Sequence, residues 1–245
     1  MAGRVKLYTI DHHAPSCNAD GGIVSNFLVS KRDSLLGNST FADMVAQYWV
    51  WRHIGSVHDR DMVGFQGYRK HLDFRLGRDV KSDWVSVDPL EFRQYQIWQQ
   101  DCAGPNIESL LGTHDILTNP PYDVSHPGGI QQDFYRSASK TDWDEMKRVM
   151  QQHGDFNFNL PTITSYCVFT GTGKVFDQWM QFWWEIVGEL TRTLPATCPD
   201  PGPRPDIYLP RRMAFLSERI YSIWLAASGL RTKALPLLVC WELQK

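Results

Sequence analysis

The chain has 245 residues, with 25 basic and 27 acidic side chains and a formal charge of −2, so it lacks the broad basic field that a nucleic-acid-coating protein needs. Hydrophobic residues make up 42% and charged residues 21%, which is enough to bury a core and excludes compositional disorder. The five cysteines are widely spaced, with no C-x-x-C, which argues against a disulfide scaffold or a zinc site and for a reduced, cytoplasmic setting.

Residues 4–10 alternate in the manner of a first strand and run into a polar loop at Asp11, His12 and His13. Residues 38–54 predict an amphipathic helix, with Phe41, Met44, Val45, Tyr48 and Trp51 on one face and Thr40-x-x-Asp43 as a capping box. A short strand at 61–65 leads into the basic, aromatic run Tyr68-Arg69-Lys70. A helix is expected at 89–100, a strand at 114–118, and a helix over 141–153. Residues 164–169 predict a strand, followed by a glycine loop at Gly171-Thr172-Gly173.

The helix after that loop carries Phe176, Trp179, Met180, Trp183, Ile186, Val187 and Leu190 at helical spacing. Residues 194–210 form a proline-rich internal loop, 211–227 a last helix, and 234–241 a buried strand or tail. Alternating strands and helices predict an α/β fold with a mainly parallel central sheet flanked by helices. A single domain over 1–245 is expected. The longest clean apolar run, 220–230, falls below the ~20 residues of a membrane span.

In open α/β sheets, ligands bind beyond the carboxyl ends of the strands, which points to Asp11 and His12 as nucleotide contacts. Gly171 and Gly173 stand where a phosphate loop would lie, although the full G-x-x-x-x-G-K-[ST] pattern fails. Asp59-Arg60-Asp61 precedes its strand and Asp142-Trp143-Asp144 opens a helix, so neither D-x-D reads as a metal pair. Arg69 and Lys70 offer cations to a diphosphate in place of a metal.

Three stretches carry a resemblance to a family. NSTFADMVAQYWVWR, holding Asn38, Asp43, Tyr48, Trp49, Trp51 and Arg52, is similar to N-x-x-x-x-E-L-T-x-x-Y-W-x-W-K. GFQGYRKHL is similar to G-L-x-H-Y-R-R-Y-F, with Gly67 at the histidine, and MAFLSERI is similar to G-F-L-A-E-R-L, with Glu218 and Arg219 matching. KLYTIDHH is similar to K-I-Y-V-x-x-H-K, with His12 at the histidine. These motifs resemble a bacterial family, first described as a domain of unknown function and found with capsule and O-antigen (lipopolysaccharide) genes, whose members are glycosyltransferases.

The resemblance implies one GT-A-like, Rossmann-like domain that moves galactose or galactofuranose from a UDP-sugar to a saccharide or lipid-linked saccharide, with peripheral membrane contact. It implies Glu218 as catalytic base, with Asp43 and Asp142 in reserve. Asp11, His12, Tyr68, Arg69, Lys70, Gly171 and Gly173 are expected to bind the donor, and Trp49 and Trp184 the acceptor. No metal cofactor is expected. Gly67 in place of the histidine keeps open a rival, a non-catalytic saccharide-binding module.

Overall fold

The structure is a computed structural model that describes residues 4–11, 22–25, 41, 43–53, 61–78, 80, 84–125, 127–164 and 168–242. His12 and Thr40 lie outside the described residues.

Among the described residues, a nine-stranded sheet organises the chain. Its main layer runs β2 (Gly22–Ser25), β1 (Val5–Asp11), β3 (Met62–Gly67), β9 (Phe169–Thr172), β6 (Ile116–Thr118) and β10 (Thr232–Ala234). From the end of β3 a tight turn leads to β4 (Lys70–Leu72), which pairs with β11 (Leu237–Val239) and through it with β5 (Val85–Ser86). β7 (Tyr122–Asp123) and β8 (Thr162–Ile163) form a separate two-stranded ladder.

The expectation of a mainly parallel sheet is corrected to a mixed one. Among the described residues, four pairings in the large sheet are parallel and four antiparallel. Two insertions cause this. β9 enters antiparallel between β3 and β6, and the hairpin closed by Tyr68 and Arg69 reverses the chain into β4. That hairpin turn holds neither glycine nor asparagine, so the usual turn signal is missing from the sequence.

Three of the long helices start on a side-chain cap. α1 (Met44–His53) is followed by α2 (Pro89–Leu111), where the Asp88 carboxylate accepts from the Glu91 amide at 2.8 Å and Pro89 fills the first helical position. After the short α3 (Gly129–Tyr135), the Ser139 hydroxyl caps α4 (Lys140–Met150) by accepting from the Asp142 amide at 3.1 Å. The Thr172 hydroxyl caps α5 (Gly173–Thr193). The short α6 (Pro205–Tyr208) and a 3-10 turn precede α7 (Arg212–Ala227).

The main core lies between one sheet face and helices α1, α4, α5 and α7. The apolar stripe of α5, from Phe176 to Leu190, is buried as its spacing predicts. Tryptophan serves largely as core filler. Trp143, Trp179 and Trp183 are fully buried, and two of them tie helices together through their ring N–H groups, Trp179 to Gln47 Oε1 at 3.2 Å and Trp183 to Ser217 Oγ at 2.9 Å. A second core joins α2 to the opposite face, through Ala103, Ile107, Leu72, Leu117 and Leu237.

Beneath α2, His71 is fully enclosed, and burial lowers its pKa from the ordinary 6.5 to about 4, opposed by the hydrogen bond that its Nδ1 donates to Gln99 Oε1. The unfolded chain therefore takes up the proton first, and stability falls as pH drops from 6.5 through 4. A shift of that size is worth roughly 3 kcal/mol by linkage. Chemical denaturation at pH 7 and pH 4 is expected to show this loss in the wild type and a smaller one in His71→Gln. Equal acid losses in both proteins would reject the assignment.

Candidate functional site

The carboxyl ends of β1 and β3 lie side by side, with Ile10 opposite Gly67. The Tyr68 amide donates to the Ile10 carbonyl at 3.0 Å, which clamps the Tyr68–Arg69 turn next to Asp11, the last residue of β1. The Cys240 amide donates to the Arg69 carbonyl at 3.0 Å, fixing the turn from its other side. The sequence thus places its basic turn where a parallel sheet presents ligands.

Lys70 is the centre of this site. Burial lowers its pKa below the ordinary 10.5, while Asp43 and Glu218 pull it up and Arg69 and Arg211 push it down. Three of those four charges come from distant parts of the chain: Asp43 just before α1, Glu218 on α7, and Arg211 in the turn before α7. The guanidinium of Arg69 lies over the Tyr68 ring, 4.9 Å from its centroid, and its buried Nε has no hydrogen-bond partner. The Lys70 ammonium stands 6.0 Å from the centroid of Trp241, whose ring is exposed. Three cations, Arg69, Lys70 and Arg211, face two carboxylates, Asp43 and Glu218. Such a half-buried excess of positive charge attracts an anion.

Of the two carboxylates, Glu218 lies against Arg219. It accepts from Arg219 Nη1 at 3.0 Å, and Arg219 Nη2 donates to Asp133 Oδ2 at 2.6 Å. Arg219 is almost fully buried and lies over Phe134. Glu218 itself stays half-buried, and its bond to Arg219 is made through Oε2. The helix around it is buried on nearly every side.

The structure brings together Asp43, Tyr68, Arg69, Lys70 and Glu218, with Asp11 at the adjoining strand end. Arg211 and Trp241 join them although sequence reasoning passed over both.

Gly171 and Gly173 do not join this site. The glycine loop expected there is corrected to a strand running into a helix. Gly171 lies inside β9, opposite Val63 and Ile116, and Thr172 pairs with Met62, at the other end of β3 from Gly67. Five residues of strand separate the two ends, roughly 17 Å. A Cβ on Gly171 would lie 2.9 Å from Phe169 Cζ and 3.2 Å from the Asp115 carbonyl, so its bareness makes room for protein atoms. The Gly173 amide is used by the Asp61 carbonyl at 2.7 Å.

Asp142 is also elsewhere. It is fully buried and held by Arg212, Nε to Oδ2 and Nη2 to Oδ1 both at 2.5 Å, and by the Tyr208 hydroxyl. Arg212 spends a further N–H on the Pro195 carbonyl at 2.8 Å, so this knot ties α4 to the proline-rich stretch and to α7. Trp49 and Trp184 are half-buried against the main core, and Trp184 rests on Tyr48 with ring centroids 4.7 Å apart. Of the neighbouring pair Trp183–Trp184, the first is therefore core and the second reaches the surface. Among the described residues no helix is long and apolar enough to cross a membrane, and no group of three or more His, Cys, Asp or Glu side chains is arranged to hold a metal ion.

Comparison with known proteins agrees with this frame. The family model described as a domain of unknown function, DUF4422, matches residues 34–229, and the chain belongs to that family. A search of curated proteins finds no match. Among solved structures, the apo structure of WbbM, a bifunctional glycosyltransferase, superimposes with a TM-score of 0.68 at 18% identity, covering 98% of this chain and 46% of that one. The chain thus spans about half the length of that protein. The likeness establishes a shared fold, a mixed α/β sheet flanked by helices as in a glycosyltransferase.

Proposed function

We propose that the protein is a glycosyltransferase that takes a hexose, of galactose or galactofuranose type, from a UDP-sugar and passes it to a saccharide acceptor in bacterial surface polysaccharide synthesis. The observation that carries this reading is the cluster of Arg69, Lys70 and Arg211 at the carboxyl ends of β1 and β3. A nucleoside diphosphate matches such a site. Its charge offsets the excess of cations, and the departing diphosphate of the transfer step gains most from them. The fold shared with a glycosyltransferase supports the same reading.

In this reading Arg69 and Lys70 grip the diphosphate without a metal, and Tyr68 and Asp11 border the nucleotide. Glu218, facing the same cluster, removes the proton from the acceptor hydroxyl as that oxygen attacks the anomeric carbon. A positioned base contributes roughly 10²–10⁴ in rate. The Arg219–Asp133 clamp fixes its carboxylate in one orientation. Trp49 and Trp184 are the acceptor-side aromatics of the proposal, and a lipid-linked acceptor would bring the protein to the inner face of the membrane.

The rival reading is a saccharide-binding relic without turnover, suggested by Gly67. Among the described residues, a Cβ at Gly67 would meet only Lys70 Cβ, at 3.9 Å. Incubation with a panel of UDP-hexoses and measurement of released UDP separates the two. Slow hydrolysis of at least one donor is expected. Absence of release from every donor by a protein that still binds sugar would favour the relic.

A further inference from the structure

A cavity of about 720 Å³ lies between the sheet and α2, on the face away from the cation cluster. The register of β1 and β3 fixes which face this is. Tyr8, Ile10 and Phe65 enter the main core, so the alternate pairs Val5–Met62, Leu7–Gly64 and Thr9–Gln66 point the other way, toward α2. The volume falls in the range of about 300–1,000 Å³ typical of small-molecule sites.

The floor of this cavity is not the apolar surface of a packing defect. Gln66 and Gln99 are both buried and joined as a cyclic amide pair, with N···O distances of 2.8 and 3.1 Å. His71 Nδ1 lies 2.9 Å from Gln99 Oε1, which makes the imidazole the donor and leaves its Nε2 a buried acceptor with no partner. Each amide nitrogen carries a second N–H beyond the one used in the pair. These remaining donors and the imidazole acceptor are polar groups that whatever occupies the cavity must satisfy.

We propose that this cavity is a second ligand site and that it takes a neutral saccharide. Gln96, Gln99 and Gln100 on α2, with Gln66 and Thr9 opposite, set donors and acceptors side by side, as sugar hydroxyls require. Val5, Leu7, Ile97 and Pro105 offer apolar surface to the C–H face of a sugar ring. Arg93 and Asp101 at the rim cancel in charge, and His71 is held neutral, so nothing selects an ion. Among the described lining residues there is no cluster of cations for a phosphate and no aromatic plate for a base.

Gly104 supplies a clean way to close the site. It lines the cavity on α2, and a Cβ there meets nothing within 4 Å. Saturation-transfer NMR with galactose, lactose and maltotriose, with and without excess UDP, tests the proposal without any turnover. Transfer to at least one sugar is expected, undiminished by UDP. It should fall at least tenfold in Gly104→Phe at an unchanged melting temperature. Gln96→Ala and Gln100→Ala, which lie toward the solvent side of the helix, should weaken it as well and cover the case in which Gly104→Phe does not fold. Three results overturn the proposal: no transfer to any of the sugars, transfer that survives all of these substitutions, or transfer that UDP abolishes, since the last places the sugar at the cation cluster.

Discussion

Asp142→Ala is expected to lower stability by about 3–5 kcal/mol, the usual consequence of leaving one member of a buried ion pair alone. The carboxylate is wholly enclosed, and Arg212, its partner, is only 12% exposed. Tyr208 loses its acceptor in the same substitution, and burial together with the Asp142 charge already holds the Tyr208 phenol well above its ordinary pKa. In a chain of this size each kcal/mol moves the melting temperature by roughly 2–4 °C, so a fall on the order of 10 °C should appear in a thermal scan. Asp142→Asn should do nearly as much harm, because it leaves Arg212 charged and unpaired. A variant that melts like the wild type but has lost turnover would return Asp142 to the list of catalytic groups.

Glu218→Gln is expected to have the opposite signature. Glutamine keeps the shape and one acceptor for Arg219, and the Asp133–Arg219 bond at 2.6 Å remains to hold the arginine. Melting temperature and UDP affinity should therefore hold while turnover of the UDP-sugar falls by roughly 10²-fold or more, the contribution of a positioned base. The competing account treats Glu218 as a partner for Arg219 and nothing else. It requires the reverse: a lower melting temperature with turnover per folded molecule preserved. Near wild-type turnover in Glu218→Gln would move attention to Asp43, the other carboxylate that acts on Lys70.

What the sequence made legible follows from how local each signal is. The α5 stripe could be read because nine residues between Gly173 and Leu190 bury one face at helical spacing. The sequence predicts a helix only over 89–100, where the stretch is polar and weakly periodic, yet α2 runs on through Gly104-Pro105 to Leu111. Its second half is held by tertiary packing of Ala103 and Ile107, which outweighs the local penalty. The glycine loop was misplaced because Thr172 is at once the last residue of β9 and the cap of α5, so no loop separates them.

The site was legible in part for the same reason. Tyr68, Arg69 and Lys70 are consecutive, and Asp43 and Glu218 sit in compact motifs. Arg211 was hidden beside Arg212. Two adjacent arginines look alike in sequence, and only folding shows that Arg212 is committed to Asp142, 70 residues away, while Arg211 is directed to the Lys70 cluster. Asp142 was misread because an acid in the first turn of a helix suits the helix dipole and gives no sign of a distant partner.

The central claim is that the cations beyond β3 hold a nucleoside diphosphate. Calorimetric titration of UDP into the wild type and into Arg69→Ala, each with chelator and with manganese, tests it most directly. Losing one charge-assisted grip on phosphate corresponds to about 1.5–3 kcal/mol, a weakening of roughly 10- to 100-fold. The account predicts wild-type binding that persists in chelator, and an Arg69→Ala protein that melts normally but binds UDP 10- to 100-fold more weakly. Equal affinity in the two proteins would contradict it, as would binding that disappears in chelator and returns only with manganese.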